Sequence, residues 1–224
     1  MKKPVTSNQQ PVTSNQQPVT SNQQPATKLG AKELRKSRPS RTVLGKIKRR
    51  EIYIICDNIL DTYNIGSIFR LADAVSAQKI FLCGSTETPP NSRISKAAVG
   101  TDKWVPWEYA SSAAEAIANL KKKFSTRSNN NNLRAKSRSS SIKIIAIEQN
   151  PKSVDFREIE YKQSFSSNKE PVAFVIGHET SGVSKEALKA CDTIVEIPMF
   201  GVNKSLNVMV SLAIVLYRVI GDLS

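Results

Sequence analysis

The sequence predicts an α/β fold with a parallel sheet flanked by helices, and three observations predict it. Five short runs are largely apolar rather than alternating, the pattern of strands buried on both faces. Amphipathic stretches of helix length separate them, so strand and helix alternate. Polar, glycine-containing segments follow several runs, as at the carboxyl ends of strands in open α/β sheets, where ligands bind.

The body begins at Glu51, and "IYIIC" (52–56) is its first expected strand. A helix over 66–77 follows, with Ile68, Leu71, Ala72 and Val75 on one side. "KIFLC" (79–83) is the second strand and 111–123 the next helix. "IKIIAI" (142–147) and "VAFVI" (172–176) are strands, 184–190 a helix, "TIVEI" (193–197) the last strand and 205–220 the closing helix. The segment 124–141, "FSTRSNNNNLRAKSRSSS", interrupts the alternation and reads as a basic, low-complexity surface insert. Ahead of the body, residues 4–24 are three copies of "PVTSNQQ", each with one Val and one Pro. So little apolar surface does not offset the entropy of ordering, and 1–27 is expected to be disordered. Residues 28–50 form a basic arm with a short helix around Ala31 to Lys36, stopped by Pro39.

The formal net charge is +14, which suggests a polyanionic partner. Residues 1–50 carry twelve Lys or Arg against a single acid, Glu33, and residues 121–141 carry seven against none. The remainder holds fourteen basic and eighteen acidic residues, so the compact body is slightly acidic. Arm and insert read as electrostatic grips for nucleic acid, the plainer alternative being charged tails that only keep the chain in solution.

Several chemistries lack their residues. Cys56, Cys83 and Cys191 are odd in number and show no CxxC spacing, and His178 is the one histidine. Neither a disulfide framework nor a metal site is expected, and a reducing compartment fits. The start "MKKPVTSNQQ" lacks the apolar stretch of a secretory signal. No run approaches the ~20 apolar residues of a membrane span. A cytoplasmic location is expected, with an organelle-targeting segment left open by the acid-poor first fifty residues. There is no GxGxxG, no GxxxxGK[ST], and no nucleophile elbow beside His178.

Three polar clusters sit at strand ends: Asn64, Gly66 and Arg70; "IGHETSGVS" (176–184); and "IPMFGVNKSLNVMVS" (197–211). In a parallel sheet all three open at one edge. Asn64 and Gly66 are expected where a strand hands over to a helix. Gly177 and Gly182 allow close backbone approach to a ligand. Ser205 is expected to cap the last helix, with Asn207 in its first turn. Each residue has a plainer role available: Arg70 pairing with an acid such as Asp73, Glu179 capping the helix near Ser184, Ser205 capping its own helix. Convergence of three clusters on one edge favours a site.

"NIGSIFR", "FVIGHETSGVS" and "IPMFGVNKSLNVMVSLAIVLY" resemble the three signature motifs of the SpoU/TrmH-type RNA 2′-O-ribose methyltransferases of the SPOUT superfamily. The stretch 88–109, "TPPNSRISKAAVGTDKWVPWEY", is similar to the corresponding stretch of short members. The resemblance covers roughly 51–222 and leaves out the arm and the insert. It implies a C-terminal deep trefoil knot, a rare exception to un-knotted topology. It also implies S-adenosylmethionine as methyl donor, tRNA or rRNA as substrate, and a homodimer with the site at its interface. Asn64, Arg70, Glu179, Ser205 and Asn207 match the motif positions implied to be catalytic. Gly177, Ile197, Met199, Ser205 and Leu206 match positions that cradle the cofactor, and Glu148 and Gln149 are expected to line the same pocket. Phe200, Val202 and Asn203 stand where glycine and basic residues are expected. Arg70 is expected to hold the phosphate of the target nucleotide and polarise its 2′-hydroxyl, because arginine bonds phosphate bidentately and keeps its proton. The alternative reading is an RNA-binding or ribosome-assembly factor that keeps the fold without catalysis; the five matching residues argue against it. A nucleotide-dependent oxidoreductase is a third, disfavoured by the missing glycine fingerprint.

Overall fold

The computed structural model describes residues 30–36, 39–129, 141–159 and 170–220. The repeat at 1–27 and the part of the insert from 130 to 140 lie outside them. Among the described residues seven strands form one sheet: β1 (Arg50–Asp57), β2 (Ala77–Cys83), β3 (Trp107–Ala110), β4 (Lys143–Ile147), β5 (Val154–Asp155), β6 (Val172–Gly177) and β7 (Thr193–Glu196). Their order is β3-β2-β1-β6-β4-β7-β5, and every pair is parallel. The five apolar runs are the five interior strands. The two edge strands escape sequence reading because they have little apolar surface to bury: in β3 only Ala110 is buried, and β5 is two residues long.

Among the described residues seven α-helices accompany the sheet: α1 (Ala31–Lys36), α2 (Arg41–Gly45), α3 (Thr62–Ala74), α4 (Ser92–Ala98), α5 (Ala113–Asn129), α6 (Lys185–Ala190) and α7 (Val208–Ile220). Strand β1 shows why its run is apolar throughout. Ile52, Ile54 and Cys56 enter a core shared with Ile65, Ile68 and Phe69 of α3 and Leu212, Val215 and Leu216 of α7. Tyr53 and Ile55 point the other way, into a second core with Ile117, Leu120 and Phe124 of α5 and Ala187 of α6. Alternate side chains thus feed two opposite layers, the geometry of period-2 strands covered on both faces. Among the described residues no helix is long and apolar enough to cross a membrane.

Three helix boundaries differ from expectation. Helix α3 starts at Thr62, because the Asp61 side chain accepts from Tyr63 N (2.8 Å) and caps it. It ends at Ala74, since Ser76 takes a left-handed φ of 53° and turns the chain into β2. Asn64 and Gly66 therefore lie inside a helix, not at a strand–helix handover. Gly66 is needed for packing: a Cβ there would stand 2.5 Å from Ala97 Cβ and 2.6 Å from Ile94 O of α4. Helix α5 runs on to Asn129, past the expected start of the insert at 124. Phe124 is fully buried and meets the Tyr53 ring edge-on at 6.0 Å, so this end of the expected loop is core. Helix α7 begins at Val208 rather than 205.

The root of the basic arm is also built into the body. Leu34 and Leu44 pack against the first core. Arg49 donates to Ala77 O (3.0 Å) and Trp104 O (2.9 Å). Burial pulls the Arg49 pKa down while the nearby Asp73 carboxylate opposes it.

Candidate active site

The carboxyl ends of β4, β6 and β7 surround a cleft of about 540 Å³. Each wall is a loop leaving one strand: 147–149 after β4, 176–182 after β6, and 196–199 with 204–208 after β7. The cleft thus lies at the sheet edge where ligands bind in open α/β folds. Glu148, Gln149, Gly177, Glu179, Ile197, Met199, Ser205, Leu206 and Asn207 all line it. Asn64 stands behind the lining, bonded to it. Arg70 does not line it: it lies on α3, exposed, with no hydrogen bond or ion pair among the described residues.

Glu179 ties the cleft to α3. Its Oε1 accepts from Asp61 N (3.1 Å) and Asn64 Nδ2 (3.0 Å), and its Oε2 from Leu60 N (3.2 Å). Desolvation works against the ionised form, but the bonds from Asn64, from Glu179's own backbone N–H, and from Asp61 and Leu60 together outweigh it. The Glu179 carboxyl therefore lies below its ordinary pKa. It holds the entry to α3; Ser184 caps α6 itself, accepting from Ala187 N. Asn64 in turn accepts from Asn207 Nδ2 (2.9 Å). Asn207 Oδ1 accepts from Met209 N (3.0 Å) and Val210 N (3.4 Å), so Asn207 caps α7 and Ser205, expected in that place, does not. The plainer alternative, Arg70 paired with Asp73, is absent among the described residues; Asp73 Oδ1 accepts from the Trp104 indole at 2.8 Å.

The two glycines of the β6 loop serve the protein's own backbone. A Cβ on Gly177 would stand 2.2 Å from Gly182 C, and one on Gly182, at φ +70°, would stand 2.3 Å from Glu148 Oε2. They let the turn close on itself and on Glu148, and both glycines also line the cleft. His178 N and O pair with Gly182, and His178 Nδ1 accepts from Thr180 N and Ser181 N at 3.0 and 3.2 Å. The neutral ring therefore carries its proton on Nε2.

Sequence reasoning missed Asp57, His178, Lys204 and Glu196. Asp57 is buried and accepts from Ser184 N (2.8 Å), joining β1 to the end of the β6 loop. Glu196, His178 and Lys204 line the cleft. A carboxylate closing an apolar strand, as in "IYIICD" and "TIVE", was the available signal for Asp57 and Glu196. The three thiols take no part. Burial pushes Cys56 well up and Cys83 and Cys191 to about 12.

Comparison with known proteins follows this geometry. The family model described as the SpoU rRNA Methylase family matches residues 51–217. The chain is 28% identical over 174 residues to the tRNA (guanosine(18)-2′-O)-methyltransferase of Escherichia coli K12, covering 76% of this chain and 63% of that one. It thus spans just under two thirds of that relative's length. Among solved structures, the TrmH/SpoU tRNA modifying enzyme of A. aeolicus superposes with a TM-score of 0.62 at 24% identity, over 86% of this chain and 81% of that one. The SpoU methyltransferase AviRb of Streptomyces viridochromogenes, crystallised with AdoMet, also gives 0.62, at 23% identity over 80% and 63% of the two chains. At these identities the structures show a shared fold.

Proposed function

The chain belongs to the SpoU rRNA Methylase family, and we propose that it is an S-adenosylmethionine-dependent methyltransferase acting on a ribose 2′-hydroxyl of tRNA or rRNA. One observation carries the reading. The Glu179–Asn64–Asn207 chain of hydrogen bonds joins the three motif segments beside a single cleft.

The cleft suits the cofactor. Ile147, Ile176, Ile197, Met199 and Leu206 offer apolar walls for a purine and a thioether chain, among polar loops. Glu148, Gln149, Gly177, Ile197, Met199, Ser205 and Leu206 would hold it. Bound there, S-adenosylmethionine would supply an electrophilic methyl for the ribose oxygen, with the neutral thioether as leaving group and the hydroxyl proton passing to solvent. The residues' work is to position the hydroxyl in line and keep competing water away. Glu179 is a positioning group rather than the proton acceptor, since both its oxygens are engaged and its pKa is low. Asn64 and Asn207 hold α3 and α7 in register beside the cleft.

Arg70, exposed and outside the cleft's lining, fits a homodimer in which it serves the partner's site. The outward apolar residues Val210 and Tyr217 of α7 supply surface for such a pairing. Fixed in charge, Arg70 binds the phosphate beside the target ribose and orients its hydroxyl. The C-terminal segment is read as knotted, as in the resembling family, and the enzyme as cytoplasmic.

The test is methyl transfer from labelled S-adenosylmethionine to total RNA by wild type and Arg70→Ala. Label at a position that becomes resistant to alkaline cleavage, lost in the variant, supports the reading. Cofactor binding without transfer to any RNA would favour the non-catalytic RNA-binding alternative.

A further inference from the structure

Three carboxylates line the cleft, and their hydrogen bonds are unequal. Glu148 is engaged at both oxygens, Oε1 by Gln149 N (3.1 Å) and Oε2 by Val183 N (2.8 Å). Glu179 accepts from three N–H groups. Glu196 has one partner among the described residues, the Ser153 hydroxyl, 2.8 Å from its Oε2. That hydroxyl has a single proton, and it also lies 2.6 Å from Asn150 O. Glu196 therefore holds at most one shared donor, and its Oε1 holds none among the described residues. Nor does Glu196 form an ion pair among the described residues. Lys204 lines the cleft and makes no ion pair among the described residues. Asp155, beside Glu196 in the β5–β7 register, is taken by Arg157 at 2.9 Å. His178 turns Nδ1 to its own loop as an acceptor. A partly buried carboxylate with few protein donors is free to attract a cation that enters the cleft.

We propose that Glu196 is a specificity-determining counter-charge that biases the cleft toward a cationic sulfonium donor over the neutral thioether left after methyl transfer. This rests on the proposed methyltransferase reading. Transfer removes one positive charge from sulfur, so the attraction of Glu196 is present before the reaction and lost after it. The carboxylate thereby loosens the spent cofactor and favours exchange for a fresh one. Glu148 and Glu179 contribute less, because backbone N–H groups already answer their charge.

The experiment is calorimetric titration of the full-length protein with S-adenosylmethionine and, separately, S-adenosylhomocysteine. Wild type, Glu196→Gln and Glu196→Asp are compared, with folding checked by circular dichroism. The expected result is that Glu196→Gln lowers the preference for the sulfonium ligand by roughly tenfold, while Glu196→Asp keeps most of it. Equal losses for both ligands in Glu196→Gln would overturn the proposal and leave Glu196 as a contact to parts the two molecules share. Binding of neither ligand by wild type would instead bring down the methyltransferase reading itself.

Discussion

Asn207 Nδ2 donates to Asn64 Oδ1 at 2.9 Å, across 143 positions of chain. One amide thus does two things: its nitrogen fastens α7 to α3, and its oxygen caps α7 at Met209 N and Val210 N. The two roles are separable by substitution. Asn207→Asp keeps the capping oxygen and loses the donor, so helix α7 should persist while the bond to Asn64 is lost. Asn207→Ala removes both, at about 0.5–2 kcal/mol for the cap plus the cost of the unpaired Asn64 oxygen. Thermal unfolding should rank wild type above Asp above Ala, and both variants should lose most methyl transfer. Full activity in Asn207→Asp would show that the link between the helices is not needed.

The Glu179 carboxyl titrates below its ordinary value of 4.5 in the folded protein. A depressed carboxyl contributes stability above the unfolded pKa, and that contribution is lost as pH falls through the folded one. The wild-type melting temperature should therefore drop more between neutral pH and pH values below 4.5 than that of Glu179→Gln. The difference should be small, because Glu179 is largely exposed. Parallel curves for the two proteins would show that the three donors do not hold the charge.

Gly66→Ala should be costly although it adds one methyl group. Its new carbon would meet Ile94 O at 2.6 Å and Ala98 N at 2.8 Å, and backbone atoms have little room to yield. Helices α3 and α4 must then move apart, at a cost on the order of 1–3 kcal/mol read by denaturant unfolding. The exposed Arg70, unpaired among the described residues and one turn along the same helix, should tolerate alanine within about 0.5 kcal/mol.

The arm offers a test of the nucleic-acid grip that leaves the body intact. Deleting all of 1–50 would remove Leu34, Leu44 and Arg49 from the fold. Replacing exposed Lys32, Lys46 and Lys48 by alanine should instead preserve the melting temperature. RNA affinity should weaken, and the salt dependence should flatten by roughly one unit of slope for each lysine that meets a phosphate. An unchanged slope would confine the grip to other residues.

The sequence by itself determined the class of fold and the segments that meet at the cleft. Continuous apolar runs such as "IYIIC" and "VAFVI" are a local consequence of burial on two faces, so they announce interior strands without reference to partners. Strands with one exposed side, β3 and β5, carry no such mark. Helix starts were misplaced where a cap depends on one side chain, as at Asp61 and Asn207. Only the tertiary structure decided what each polar residue bonds to. Glu179 serves α3 rather than the helix near Ser184, Gly182 makes room for Glu148, and Glu196 has one protein donor among the described residues. Those outcomes depend on which distant backbone N–H groups arrive beside a carboxylate. That is a property of the assembled loops, and no spacing along the chain encodes it.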